Sequence, residues 1–318
     1  MINLLVNNFY EFQHTEFDAV RAQGYEIDFI EKGQTADDLD LSQYEVGLID
    51  GAFVRNNYAR LDSLKVVHLS AAGFDTFPFE TVAGSDLIVL SARGLYSKPM
   101  AEWVVLKALE IYRDARAFEN QQNTKVWHWS GSAQCSEIYG KVVGTLGTGD
   151  VALEVLHKMN AFGATVIGLN TNGRSVEGFE KVCAVSELGS FLQECDIVVN
   201  CLPKTKQTIG LIRREQLMQM KPDAVLLNIS RGEIIDESDL AQLLKEGHLR
   251  GAAFDCFSIE PLPEQSPLWD IPNFYITPHY SWITEGLKPR LLDLYIDNLT
   301  RYANGEPLLN RVDLSRGY

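Results

Sequence analysis

The sequence predicts an α/β protein built from two doubly wound parallel-sheet domains, and three observations carry that expectation. Short apolar runs alternate with helical patterns along most of the chain, from residues 2–6 to 274–277. A glycine turn, Gly147 and Gly149, joins one such run to a helical pattern near the middle. The 318 residues suffice for two domains of roughly 100–200 each. Strands covered by helices on both faces read as unbroken apolar stretches, which is the pattern here.

Taken in order, the runs that read as strands are 2–6, 46–49, 66–69, 87–90, 142–146, 165–169, 197–202, 224–229, 251–254 and 274–277. The longest helical pattern starts after Pro99 and passes through Ala101, Trp103, Val104, Val105 and Leu109 to about Arg113. Proline just ahead of a helix is a normal start signal. Four runs precede this helix and six follow it, so the chain is expected to cross between domains there. A second long helical pattern begins near Thr284 and includes Leu291, Leu292, Ile296 and Leu299. No further strand–helix unit follows, so it is read as the return to the first domain. The expected divisions are 1–98, 99–285 and 286–318, the middle domain being an insertion.

Composition narrows the function classes. Hydrophobic residues make up 46% and charged residues 22%, as in ordinary globular proteins. The net charge of −15 repels phosphate backbones and anionic lipid headgroups, so neither nucleic acid nor a membrane is expected as a partner. The same field slows an anionic substrate, which therefore needs a positive group inside the site. Cys135, Cys183, Cys195, Cys201 and Cys256 form no C-x-x-C pair and read as small hydrophobes of a reducing compartment. The N-terminus reads as a strand with no basic leader, and no apolar stretch approaches the ~20 residues that span a bilayer. A cytoplasmic protein is expected.

Lys141 to Ala152 is the most informative stretch. A strand runs into Gly147-Thr148-Gly149-Asp150-Val151-Ala152, then into a helix through Leu153, Val155, Leu156 and Met159. Gly147 permits the tight turn, Gly149 lets the backbone approach a pyrophosphate, and Ala152 allows close helix–strand packing. The helix N-terminus offers free N–H groups to the anion. Asp150 suits the helix dipole but opposes a nearby pyrophosphate. The next strand ends at Asn170, where an NAD site usually places an acid that binds the ribose hydroxyls. Thr171 and Arg174 follow. Without the acid a 2′-phosphate is not repelled, and Arg174 can pair with it, so NADP is favoured over NAD. Arg174 also reads as a solvated loop residue, and NAD stays open.

Three later stretches leave strands with polar residues: 228–233 with Arg231, 254–262 with Asp255 and Glu260, and 276–282 with His279. Doubly wound sheets bind ligands at the carboxyl ends of their strands. Together with Ala71-Ala72-Gly73-Phe74-Asp75, Ala101-Glu102, the glycine turn, Leu202-Pro203-Lys204-Thr205 with Thr208, Glu260-Pro261-Leu262-Pro263 and Pro278-His279, these resemble the D-isomer-specific 2-hydroxyacid dehydrogenases, which include glyoxylate/hydroxypyruvate reductases. The resemblance covers nearly the whole chain. It implies two Rossmann-like domains, the dinucleotide-binding one inserted in a flavodoxin-like substrate domain, and usually a homodimer joined through the helix after Pro99 and the Trp127 region.

The resemblance implies that His279 is the general acid/base, that Glu260 orients and supports its ring, and that Arg231 grips the substrate carboxylate or carbonyl. A charge-assisted hydrogen bond of that kind contributes ~1.5–3 kcal/mol. Backbone N–H groups near Ala72 and Gly73 would complete the carboxylate cradle. Asp255 would contact the nicotinamide carboxamide, Leu202 and Pro203 would wall the adenine pocket, and Thr208, Ile229 and Ser230 would line the cofactor. Asp255 also reads as a turn acid, and Leu202-Pro203 as a strand end. His14, His68, His128, His157 and His248 have no comparable setting, and no metal is expected.

The expected reaction is the NAD(P)H-dependent reduction of a small 2-oxo acid to the (D/R)-2-hydroxy acid, and its reverse. Asp50 disfavours a phosphorylated substrate, which leaves glyoxylate or hydroxypyruvate first and larger 2-oxo acids behind. Phe53, Arg55, Phe74, Tyr96, Met100 and Trp282 are candidates for pocket lining or core. The alternative is an NAD(H)-sensing, corepressor-like interaction protein on the same fold. A formate-dehydrogenase-like enzyme is disfavoured because that group carries Gln where Glu260 stands.

Overall fold

The structure is a computed structural model that describes residues 1–37, 39–73, 77–82, 84–128 and 135–314. The chain divides into two compact units, Met1–Tyr96 with Thr284–Tyr318, and Ser97–Ile283.

The first unit holds β1 (Ile2–Asn8), β2 (Tyr25–Glu31), β3 (Val46–Leu48), β4 (Val66–His68) and β5 (Ile88–Leu90). They form a parallel sheet in the order β2-β1-β3-β4-β5, a flavodoxin-like winding. Its core includes Leu5, Tyr44, Ile49, Val67, Leu69 and Val89. Helix Leu287–Asn304 belongs to this unit and ends at Gly305, whose φ of +69° makes the left-handed stop that glycine permits. Its Leu299 carbonyl accepts a hydrogen bond from Tyr25 at 2.7 Å, which ties the returning helix to β2.

The second unit holds β6 (Val142–Leu146), β7 (Thr165–Asn170), β8 (Val182–Ala184), β9 (Ile197–Asn200), β10 (Val225–Asn228), β11 (Gly251–Phe254) and β12 (Phe274–Ile276). Their order is β12-β11-β10-β9-β6-β7-β8, all parallel, with the winding reversing between β6 and β9. Side chains alternate across the sheet, so Leu226 enters one core with Phe191 and Phe254, and Leu227 another with Val104, Val155 and Val199. Register sets the functional edge. Leu146 pairs with Asn200, Asn200 with Asn228, Asn228 with Phe254 and Phe254 with Ile276, so five strands end in one row. The loops carrying Gly147, Leu202, Arg231, Asp255 and His279 all leave from that row.

Two strands lie outside the sequence expectation, and both are sheet edges. β2 alternates exposed Glu26 and Asp28 with the more buried Tyr25, Ile27 and Phe29, because an edge strand has one solvated side. β8 is three half-buried residues. Helix Ser97–Tyr112, expected to start after Pro99, begins two residues before that proline, which sits in the first turn where a missing N–H costs no hydrogen bond. Among the described residues the longest helix is Leu287–Asn304, not this one. No helix among them is long and apolar enough to cross a membrane.

Candidate active site

The glycine turn behaves as its residue types require. Gly147 sits at φ +103° and donates its N–H to the Leu169 carbonyl at 2.8 Å. A side chain there would be strained and would press on the Cys201 carbonyl at 3.3 Å. Gly149 differs, since its backbone is extended and an added Cβ would meet nothing within 4 Å. Protein packing therefore does not explain the missing side chain, while close approach of a ligand does. Gly149 caps helix Asp150–Ala161, whose first N–H groups have no intrahelical acceptor. Ala152 is fully buried, Val151 packs against the core, and the Thr148 methyl lies over Gly168. Open space at a twelve-residue helix N-terminus fits the pyrophosphate of a dinucleotide.

Beside it, Asn170 organises its own loop. Its Nδ2 donates to the Arg174 carbonyl at 2.8 Å and approaches Thr148 Oγ1 at 3.4 Å, and its Oδ1 accepts from the Asn172 N–H at 3.3 Å. Thr171 and Arg174 are exposed, and among the described residues the Arg174 guanidinium enters no ion pair. A loop with a free guanidinium and no carboxylate at the strand end suits a phosphate on the ribose.

At the end of β9, Leu202 is half-buried and Pro203 exposed. Thr208 Oγ1 donates to the Pro203 carbonyl at 2.7 Å and accepts from the Thr205 N–H at 2.8 Å, so it shapes the loop. Ser230 donates its hydroxyl to the Leu202 carbonyl, and Ile229 is packed in the core. Beneath both loops lies an amide rung that sequence reasoning missed. Asn200 Nδ2 donates to Asn228 Oδ1 at 3.0 Å, and both residues are fully buried. Asn228 then donates to the Arg231 carbonyl at 3.1 Å and accepts from the Ser230 N–H at 3.2 Å, which fixes the turn that presents Arg231. The signal was available as Asn closing two apolar runs at equivalent registers.

Arg231 is half-buried and donates to the Ser230 carbonyl at 2.8 Å. Its neighbour Gly232 packs so tightly on the next loop that a Cβ would fall 2.1 Å from the Phe257 carbonyl carbon and the Ser258 nitrogen. The Arg231 and Glu260 loops are thus locked together through a position that only glycine can fill. Glu260 uses both oxygens: Oε1 accepts from the Phe257 N–H and Oε2 meets His279 Nδ1, each at 2.8 Å. Among the described residues the other imidazole nitrogen has no hydrogen-bond partner.

His279 itself stands at φ +54°, a left-handed conformation that non-glycine residues enter only when their surroundings impose it. Asp255 imposes it. The fully buried carboxylate accepts from the Thr277 hydroxyl at 2.5 Å, the Tyr280 N–H at 2.8 Å and the Ser281 N–H at 2.9 Å. The Asp255 carbonyl also accepts from the His279 N–H at 2.7 Å. From outside, Trp282 Nε1 donates to the His279 carbonyl at 2.9 Å and Trp103 Nε1 to Thr277 Oγ1 at 3.0 Å. The buried carboxylate is therefore committed to the loop around His279, a role the residue pattern left open as a turn acid.

In the other unit, Ala72 is half-buried and Gly73 exposed, on the loop after β4. The Ala71 carbonyl accepts from the Ala92 N–H at 3.0 Å, and Tyr96 donates its hydroxyl to the Ser70 carbonyl. Phe74 and Asp75 lie outside the described residues. Phe53 and Met100 pack against the cores, and Arg55 is exposed. Cys195 and Cys256 are buried, Cys183 and Cys201 partly so, whereas Cys135 is exposed and does not follow the small-hydrophobe expectation.

Residues 105–281 match the model of the D-isomer specific 2-hydroxyacid dehydrogenase NAD binding domain. Glyoxylate/hydroxypyruvate reductase A of Salmonella paratyphi C is 32% identical over 262 residues, covering 80% of this chain and 82% of its own. A D-isomer specific 2-hydroxyacid dehydrogenase family protein of Aeromonas salmonicida has a similar structure, with a TM-score of 0.84, 27% identity, and 98% and 99% of the two chains covered. An NADPH-dependent glyoxylate/hydroxypyruvate reductase from Sinorhizobium meliloti, solved with NADP and sulfate, gives 0.83 and 27% over all of both chains. By the matched NAD binding domain and the identity shared with the reductase over most of both chains, the chain belongs to the D-isomer specific 2-hydroxyacid dehydrogenase family and is an NAD(P)-dependent oxidoreductase.

Proposed function

We propose that this protein reduces a small 2-oxo acid, glyoxylate or hydroxypyruvate first, to the (D/R)-2-hydroxy acid with NADPH, NADH serving less well. The observation that carries the reading is the 2.8 Å contact between His279 Nδ1 and Glu260 Oε2. It leaves the second ring nitrogen to give a proton to the developing alkoxide and to take it back in the reverse direction. Bound NADPH supplies the hydride. Arg231 holds the substrate carboxylate and polarises the carbonyl, which answers the attraction problem set by the −15 chain charge. Gly147, Thr148, Gly149, Asp150 and Val151 hold the pyrophosphate, and Asn170, Thr171 and Arg174 the phosphorylated ribose. Leu202, Pro203, Thr208, Ile229 and Ser230 line the remainder.

In this reading Ser97–Ile283 is the cofactor unit and the rest of the chain the substrate unit of a cytoplasmic homodimer. Trp127, 99% exposed, would be covered on dimerisation, and light scattering of wild type and Trp127→Ala checks that. No observation favours the corepressor-like alternative over the complete Arg–Glu–His set. The test is loss of 340 nm absorbance with NADPH or NADH across a panel of 2-oxo acids. Turnover of glyoxylate or hydroxypyruvate with NADPH is expected; tight cofactor binding with no turnover of any acid would end the proposal.

A further inference from the structure

Behind the His279–Glu260 pair lies a third group that the reductase reading does not use. The Cys256 Sγ, a Glu260 carboxylate oxygen and a His279 ring nitrogen all lie within 4.8 Å of one another. Cys256 is 1% exposed, while the Glu260 and His279 side chains are 37% and 38% exposed. The set therefore has a fixed inner ligand and two outer ligands reachable from solvent. We propose that Cys256, Glu260 and His279 form an inhibitory site for a soft or borderline divalent cation of the zinc, cadmium or cobalt class, which acts by taking His279 out of proton transfer. The last clause rests on the proposed function; the site itself does not.

The ligand set decides the class of ion. A thiolate and an imidazole with one carboxylate suit zinc-like ions and give magnesium or calcium little. Metal–ligand bonds of about 2.0–2.3 Å place neighbouring ligands about 3.5 Å apart, so His279 Nδ1 and Glu260 Oε2, now 2.8 Å apart, must open around the ion while the Cys256 sulfur, within 4.8 Å, is drawn in. The two exposed side chains can make that movement. On binding, the Cys256 thiol gives its proton to the buffer, and His279 exchanges its contact with Glu260 for the ion. The ring then coordinates through Nδ1 as a neutral imidazole with its proton on Nε2, a far weaker acid than the imidazolium that reduction needs, and in the reverse direction it has no lone pair left to accept a proton. Two anions against one dication leave the site neutral. Asp255 and Glu233 nearby favour the ion, and Arg231 opposes it. Without an ion, burial holds the thiol protonated and unreactive.

Cobalt(II) is the probe, because a thiolate-to-cobalt charge-transfer band in the near ultraviolet reports the bond whether or not the protein turns over substrate. Wild type is expected to show the band and to lose activity to Zn2+ but not to Mg2+. Cys256→Ser is expected to lose the band and to need about tenfold more Zn2+ or higher for half inhibition, with basal activity within about twofold of wild type. Cys135→Ser, which removes the exposed thiol, is expected to change neither. Absence of the band in wild type, or its persistence in Cys256→Ser, overturns the site. A Cys256-dependent band in a protein whose activity ignores Zn2+ keeps the site and refutes the role given to His279.

Discussion

Each unit carries a histidine at the carboxyl end of a sheet strand, and the two imidazoles have opposite fates. His68 is the last residue of β4 and is 1% exposed. Its Nδ1–H donates to the Leu69 carbonyl at 3.2 Å, and its Nε2 accepts from Asn298 Nδ2 at 3.0 Å. Tyr295 packs edge-on at 4.7 Å. Burial, which outweighs the Leu69 hydrogen bond, pushes its pKa down to about 4, so the ring is neutral and occupied on both nitrogens. It joins β4 to helix Leu287–Asn304. His279 has a carboxylate on one nitrogen, 38% of its side chain exposed and a left-handed backbone that Asp255 maintains. In the proposed function, position on the strand does not by itself assign a histidine to proton transfer. A carboxylate partner and a second nitrogen without one do.

Exchanging the two roles by mutation gives the largest effects. His279→Ala is expected to lower kcat by about 10³-fold, within the usual range for a general acid, while NADPH binding and Tm stay close to wild type. His68→Ala is expected to do the reverse, losing about 2–3 kcal/mol of stability by denaturant unfolding with kcat nearly unchanged. Next comes the support of the reactive ring. Asp255→Ala strands three donors in a buried place and is expected to cost about 2–4 kcal/mol. The milder Asp255→Asn is expected to lower kcat about 10–100-fold with little change in the NADPH KM. If Asp255 instead acts on the nicotinamide, as the family resemblance implies, the cofactor KM rises in that variant.

The neutral histidine also predicts a pH signature. His68 has a folded pKa of about 4 against 6.5 for the free side chain, so below 6.5 the unfolded chain binds the extra proton. Stability is then expected to fall as pH drops from 6.5 towards 4, by up to about 3 kcal/mol, and to be insensitive to this group above 6.5. Urea midpoints across that window, flatter in His68→Gln than in wild type, check it. The smallest effects belong to the cofactor loops. Gly149→Ala is expected to fold normally, since its Cβ meets no protein atom, but to weaken NADPH binding about tenfold. Arg174→Ala is expected to raise the NADPH KM about 3–10-fold and leave NADH unchanged.

The same contrast explains what the sequence could reveal. The glycine turn is legible because its work is local: Gly147, Gly149 and Ala152 each act within one strand–helix junction. The Arg231, Glu260 and His279 loops are legible by residue type and spacing. Their support is not, because the partners of Asp255 are two backbone N–H groups and a hydroxyl more than twenty residues away. The Asn200–Asn228 rung joins residues 28 apart, and the Asn near the close of each apolar run is its one trace in the sequence. Both missed strands, β2 and β8, are sheet edges whose partly solvated faces interrupt the apolar runs that identify central strands. His68 differs in the sequence only by lacking the setting of His279, which leaves surface and packing roles equally open.

The central claim is that His279, supported by Glu260, supplies the proton for 2-oxo acid reduction. Single-turnover oxidation of prebound NADPH by glyoxylate, followed at 340 nm in wild type and His279→Asn, tests it most directly. A fast decay in wild type and one slowed by about 10³-fold in the variant, with NADPH bound equally in both, is the predicted result. Equal decay rates in the two proteins would contradict it.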